Sequence, residues 1–487
     1  MINELNMVAV KQYLENSWYR WASQDRQTWY AAQYQYGYGV NTRDMKNWVC
    51  LAWWKEELNT FSTWINVFTA FWDLYYINGN WIIYDINNNS KCQTLVTDQY
   101  APICVEFWNS VFVIWDNAVK YVTTWWTVAD LTDVFPTYHG AWYRWKWYCA
   151  LNYANTFLLI WDGNVLWRID GALWTIKGIR YFNSWYEIYW LTQEWNYLKI
   201  YTSNGCDTKI HYCKGTFDVE ETWLVQTISY PWLAIGIWDV TSDQWRDYVI
   251  FRQSDRHVSS AASYRLAKVQ WYNKIDIRWT QTRWNMTVFW ASNPTIYASD
   301  WVVFAGMAEW IRTFTEYNWW LWWWCVEFPT TGITTSMVKY WEKLYWVEQL
   351  GSTYKLYSYD MSFHPATYQQ TWYIIGRVFD WWCAWLFKKN VQTTVTYNMP
   401  SWTSMELSYR YDRSSFNYWA DNFLSIKELT DTNSCYDIVV PTTDSNFNRT
   451  WNLLEYRVDL WSNTEKTSTP ILFEHNLLYN DAIRKYR

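Results

Sequence analysis

Cys206, His211 and Cys213 are the tightest grouping in this chain that could do chemistry, because thiolate and imidazole are natural zinc ligands. Their spacing lets two or three ligands meet across a hairpin, but a closed tetrahedral site wants a fourth. The chain has five histidines, His139, His211, His257, His364 and His475, and none lies in HExxH or another paired-ligand motif. The trio therefore reads as side chains on a two-stranded ribbon. Asp116, Asp162, Asp170 and Asp239 stand beside turns, where an Asx side chain caps the local backbone. A glycosidase would need two such carboxylates several ångströms apart. Asp162-Gly163-Asn164 and Asn87-Asn88-Asn89 offer the oxygen ligands that calcium takes, and serve more simply as turn formers. No Gly-x-Ser-x-Gly elbow is present, and substituting Gly for Trp creates neither an elbow nor a phosphate-cradling loop. The expectation is a non-enzyme: no catalytic residue, no cofactor-binding residue and no metal site.

The turns that must carry these residues have an odd composition. There are 47 Trp against 14 Gly in 487 residues, where average usage gives roughly 34 Gly. Trp occupies tight-turn slots: Asn80-Trp81 after Asn78-Gly79, Trp115-Asp116-Asn117, Trp161-Asp162-Gly163-Asn164 and Glu194-Trp195-Asn196. Such slots need positive φ or close backbone approach, which glycine supplies and an indole does not. The run Asn318-Trp319-Trp320-Leu321-Trp322-Trp323-Trp324-Cys325 becomes an ordinary flexible loop once Trp is read as Gly. Most Trp positions therefore read as glycine, as follows if UGA codons that mean glycine in the source are translated as tryptophan. Some Trp are genuine. On this reading Trp81, Trp195 and Trp319–Trp324 sit at turns or exposed loops. The literal sequence instead gives a Trp-rich surface for sugar stacking.

From about residue 60 to 380 the chain repeats strand, tight turn, strand. Asp73–Ile77 turns into Ile82–Ile86, Val111–Ile114 into Val119–Val122, and Phe157–Ile160 into Val165-Leu166. Tyr186–Tyr189 leads to Tyr197–Tyr201, Trp301–Phe304 to Ile311–Phe314, and Lys343–Tyr345 to Tyr354–Tyr357. These β-branched and aromatic runs recur at a spacing close to that of propeller blades. No long segment has apolar residues at helical spacing. The fold expected is all-β: a β-propeller over 59–385, with six or seven blades and a long loop at Gln253–Ser263. An extended N-terminal arm or strand region covers 1–58. A C-terminal β-sandwich or platform sheet covers 386–487, from the strands Val391–Tyr397, Ser404–Tyr411, Tyr436–Val440, Leu453–Leu460 and Ile471–Tyr479.

Lys and Arg number 40 and Asp and Glu 46, for a net charge of −6, so no basic footprint for nucleic acid is present. Nine Cys at irregular spacing, without a CxxC pair, fit thiols in a reducing compartment. Met1–Met7 has no basic or apolar leader segment, and no run of 18 apolar residues would span a membrane. The sequons at Asn88, Asn285 and Asn448 are chance matches on that view.

The C-terminal phrase Leu454-Glu455-Tyr456-Arg457-Val458-Asp459-Leu460, then Thr469-Pro470-Ile471-Leu472, then Leu477-Leu478-Tyr479, resembles the closing β-domain of bacteriophage tail and neck proteins. With a propeller before it, roughly residues 30–487 resemble the propeller-bearing nozzle and packaged-DNA stabilisation proteins of short-tailed phages. The resemblance lies in architecture and strand phrasing and contains no diagnostic motif. It implies a virion component, made in the host cytoplasm, that assembles as a homo-oligomeric ring with portal, adaptor or tail subunits around the DNA exit channel. DNA would pass without sequence recognition, and no membrane or cofactor would be involved. An acidic wall suits sliding, since a basic one holds phosphates by counterion release. The loop Asn318–Cys325 and the N-terminal arm to Leu58 are the expected contacts with neighbours. The alternative is a carbohydrate- or receptor-binding propeller adhesin, and a propeller hydrolase has only the scattered carboxylates behind it.

Overall fold

The computed structural model describes residues 11–15, 21–22, 33–38, 40–41, 49–52, 54–95, 103–115, 118–130, 150–153, 157–170, 176–194, 197–214, 223–231, 233–235, 240–243, 246–253 and 263–270. It further describes 274–276, 295–299, 302–306, 310–317, 320–330, 332–361, 368–376, 387–412, 423–429, 435–440 and 444–481. Every regular element among them is a strand. Where the sequence drew three segments, contacts group the chain into two compact units, 56–309 with 330–359, and 1–55 with 310–329 and 360–487.

The first unit is a ring of antiparallel sheets. One blade is Ile65–Ala70, Asp73–Asn78, Ile82–Asp85 and Lys91–Thr94; the second is Ile103–Phe107, Ser110–Trp115, Ala118–Thr123 and Val128–Asp130. The third is Ala150–Tyr153, Phe157–Asp162, Val165–Asp170 and Ile176–Tyr181; the fourth is Glu187–Glu194, Tyr197–Ser203, Thr208–Lys214 and Trp223–Tyr230. In the fifth, Leu233–Ala234 and Val240–Asp243 both pair with Arg246–Gln253, followed by Ser263–Gln270 and Lys274–Asp276. The hairpin Thr295–Ser299 with Val302–Gly306 holds the sixth place. The seventh blade is Ile333–Tyr340, Lys343–Leu350 and Thr353–Asp360, completed by Glu56–Phe61 from the other end of the unit.

Period-2 side-chain alternation explains why these strands stack as blades. In Ser110–Trp115, Val111 and Val113 pack with Ile77 and Ile83 of the first blade, while Phe112 and Ile114 pack with Leu158 and Ile160 of the third. Phe157–Asp162 repeats the device: Leu158 and Ile160 face backwards, and Leu159 and Trp161 join Leu198 and Ile200 of the fourth blade. Tyr201 and Ile210 then meet Val249 and Phe251 of the fifth. Ile65 and Val67 close the circle against Val347 and Leu356 of the seventh. The innermost strands touch in turn from the first blade to the fourth and from the fifth to the seventh, and Ile333–Tyr340 returns to Ile65–Ala70. This is a seven-position β-propeller fastened by its own first strand.

The second unit contains a two-sheet sandwich. One sheet runs Lys11–Glu15, Ile471–Asp481, Lys388–Asn398 and Tyr436–Val439. The other contains Gln33–Tyr38, Thr371–Gly376, Leu454–Trp461, Ser404–Tyr411 and Leu424–Leu429 in order. Val395 and Tyr397 of the first sheet share a core with Leu407, Tyr409, Tyr456 and Val458 of the second. Over Lys11–Glu15 and Gln33–Tyr38 the N-terminal region is thus a pair of sandwich strands. The loop expected at Asn318–Cys325 is also revised. Residues 318–319 lie outside the described residues, but Trp320–Pro329 is a strand paired with Trp310–Tyr317, since pairing satisfies backbone N–H and C=O groups.

Candidate functional site

Three hairpin tips define a hollow in the propeller unit. Tyr340-Trp341-Glu342-Lys343, Ala70-Phe71-Trp72-Asp73 and Phe107-Trp108-Asn109-Ser110 each join the innermost strand of a blade to the second strand. They belong to the seventh, first and second blades, which are neighbours, so their tips lie side by side at one end of the ring. Between them is a cavity of about 920 Å³ bordered by Trp72, Trp108 and Trp341, with Asp73, Glu106 and Lys339 among its polar lining. The Tyr340 hydroxyl donates to the Trp72 carbonyl at 3.0 Å and ties two of the tips together. Asp73 is already engaged: its Oδ1 accepts from the Leu74 amide at 2.8 Å and from Asn87 Nδ2 at 2.6 Å. A hollow with exposed aromatic faces and both signs of charge can hold a polar ring-shaped ligand by stacking and hydrogen bonding.

The sequence had not singled out this hollow. Its signal was present as a Trp in the turn of successive hairpins, but only ring closure brings the seventh blade beside the first.

The metal-like trio is not assembled as ligands. His211 is buried, with Nε2 3.0 Å from Thr202 Oγ1 and Nδ1 2.9 Å from Thr227 Oγ1, so threonine hydroxyls engage both ring nitrogens. Burial, with Arg180 and Lys209 nearby, lowers its pKa to about 4. Cys213 is core packing between blades, where burial raises its thiol to about 11. Cys206 is exposed in a turn whose amide is capped by Asn204. Among the described residues, no group of three or more His, Cys, Asp or Glu could hold a metal ion.

Of the four carboxylate positions, the backbone places Asp162 and Asp170 at opposite ends of one hairpin. Asp162 pairs with Val165 at one end of a hairpin and Asp170 with Phe157 at the other, about 16 Å apart along six-residue strands. Asp116 and Asp239 lie outside the described residues. In the Asn87–Asn89 turn, Asn88 Oδ1 accepts from the Ser90 amide and Asn89 Oδ1 from the Tyr76 hydroxyl. Those oxygens serve the turn.

Trp81 departs from its expected exposure. It is at a turn, with its amide donating to the Asn78 carbonyl, but its indole is fully buried against Trp64. Trp195 and Trp319 lie outside the described residues.

A second polar cluster also escaped the sequence. Asp247 Oδ2 accepts from Lys199 Nζ at 2.8 Å, Tyr201 OH at 2.6 Å and Thr192 Oγ1 at 3.0 Å, and Oδ1 accepts from Ser242 at 2.9 Å. Thr192, Lys199, Tyr201 and Asp247 are buried and each partner is a donor, so the carboxylate clasps the fourth blade to the fifth.

No family model matches the chain, and no curated protein matches it. Among solved structures it is similar to the WD40 domain of Neurospora crassa Pan2, at 8% identity and a TM-score of 0.40, over 63% of this chain and 95% of that one. The β-propeller domain of Cps50 (Swd1) from Myceliophteria thermophila gives 8% and 0.40, over 62% and 99%. The N-terminal domain of Nup159 gives 9% and 0.38, over 63% and 96%. At that overlap these likenesses carry no weight, and the fold assignment rests on the strand pairing and the closure of the ring. Among the described residues no helix is long and apolar enough to cross a membrane.

Proposed function

We propose that the protein is a structural component of a bacteriophage tail or neck, a ring subunit that forms or closes the DNA exit channel without turning over a substrate. The observation that carries the reading is the pairing, in one chain, of a self-fastened propeller with a β-sandwich, the plan of the phage proteins that its C-terminal strands resemble. Sheets fastened in this way offer rigid faces to neighbouring subunits, as a closed ring of identical subunits requires. Partners on this reading are portal, adaptor or tail proteins and further copies of the chain. The net charge of −6 suits passage of DNA without sequence recognition. Electron microscopy of intact particles tests it: density for the chain as a ring on the tail axis is the expected result. Its absence from the virion, or its presence only at the tips of peripheral fibres, overturns it.

A second reading, an adhesin propeller that binds carbohydrate, is favoured by one observation, the hollow bordered by Trp72, Trp108 and Trp341. Binding to a glycan array that is lost in Trp72→Ala is its test.

A further inference from the structure

Backbone conformation sorts the tryptophans into two classes. Among the described residues, eleven non-glycine positions have φ in the left-handed region, and six of these are Trp72, Trp81, Trp108, Trp126, Trp341 and Trp402. A Cβ in that region crowds the following carbonyl, and only Gly, Asn and Asp visit it routinely. The turns themselves give a direct comparison. Gly351, φ 61°, turns Lys343–Leu350 into Thr353–Asp360; one hairpin earlier in the same blade, Trp341 does the same task at φ 53°. Gly163-Asn164 turns the third blade with φ 54° at the glycine, and Trp108-Asn109 turns the second with φ 49° at the tryptophan. Two-residue hairpin turns of this hand select glycine.

Exposure points the same way. Trp72 is 95% exposed, Trp341 79%, Trp402 88% and Trp108 49%. An indole gains a few kcal/mol by leaving water, and these four do not. Trp346 and Trp451 behave in the opposite way. Both are fully buried in strands, neither has a left-handed φ, and each indole N–H has a partner: Glu348 Oε1 at 2.9 Å and Asn390 Oδ1 at 2.7 Å. Trp81 and Trp126 combine a left-handed φ with packing on neighbouring rings and stand outside the partition.

We infer that the native chain carries glycine at positions 72, 108, 341 and 402 and tryptophan at 346 and 451, the first class encoded by UGA and the second by UGG. The hollow between the three tips then loses its indoles. What remains is a glycine-turned rim with Asp73, Glu106, Lys339 and Tyr340, a polar surface whose three indole faces are gone. The assignment holds wherever the protein works, so it stands or falls separately from the virion reading.

The gene's codons and the peptide masses of the protein from its native source test the partition. UGA at 72, 108, 341 and 402, UGG at 346 and 451, and glycine masses in the peptides spanning the first four are the expected results. UGG codons or indole masses at those four overturn it and leave a true aromatic rim. A third readout uses recombinant protein. The variant Trp72→Gly/Trp108→Gly/Trp341→Gly/Trp402→Gly melts higher than the literal sequence, whereas Trp346→Gly or Trp451→Gly melts lower. A lower midpoint for the fourfold variant also overturns the partition.

Discussion

His211 is where sequence and structure agree on importance and differ on role. The sequence marks it as a candidate ligand; the structure gives it two threonine hydroxyls and a buried site that lowers its pKa to about 4. Unfolded, the ring has its ordinary pKa near 6.5, so between these values the unfolded chain binds a proton that the folded chain excludes. The stability this contributes is complete above about pH 6.5 and is lost as pH falls toward about 4, by about 3 kcal/mol at the bottom of the window. Urea midpoints at pH 7.5 and pH 4.5 measure the loss, and His211→Gln should flatten that part of the profile. Thr202 and Thr227 were not legible as its partners, because strand register sets Thr227 opposite His211 and Thr202 diagonal to it, opposite Lys209. The Trp turns were legible. An excess of one residue type in glycine slots needs no tertiary information to be noticed, whereas Trp81 shows that a turn position alone does not reveal which indoles are packed.

Between elements, the clasp around Asp247 holds the fourth and fifth blades. Lys199 and Asp247 are both buried and 2.8 Å apart. Removing the carboxylate strands an ammonium out of water, which costs far more than the net worth of the pair. Asp247→Ala is expected to lose about 3–5 kcal/mol, read as a fall in chemical-denaturation midpoint at neutral pH. The exposed pair of Lys355 and Glu57, 2.9 Å apart on the fastening strand, should contribute under about 1 kcal/mol and weaken with salt. The fastening strand itself matters more. Asn59 lies opposite Leu356 in the pairing of Glu56–Phe61 with Thr353–Asp360. Asn59→Pro removes a ladder donor and is expected to cost at least about 1–3 kcal/mol. It should raise hydrogen exchange in the seventh blade before the third. Hairpins such as Val111–Ile114 with Val119–Val122 were readable because both partners and their turn lie within a dozen residues. The pairings of Glu56–Phe61, Lys11–Glu15 and Gln33–Tyr38 join residues hundreds of positions apart, and no local pattern encodes them.

For the whole molecule, the all-β class and the propeller were legible from repeated turn chemistry. The C-terminal strands were also placed closely: Val391–Tyr397 lies inside Lys388–Asn398, and Ser404–Tyr411 matches its element. The sandwich partners Thr371–Gly376 and Leu424–Leu429 were missed: the first is a short run whose partner Leu454–Trp461 lies far along the chain, and the second is a short run carrying Lys427 and Glu428 with no tight turn back to Ser404–Tyr411. Self-fastening has a consequence for synthesis. Lys355 and Glu57 are 298 residues apart, so a ribosome adding about 5–20 residues per second needs roughly 15–60 seconds between making the two halves of the last blade. Throughout that interval the first blades stand as an open stack with a bare edge, the situation in which strands pair with the wrong partner. Nascent chains stalled before Thr353 should therefore be cut by protease in the first blade and captured by chaperones. Chains stalled after Asp360 has cleared the exit tunnel should resist both. Equal protection at the two stall points would mean that the early blades hold without their fastening.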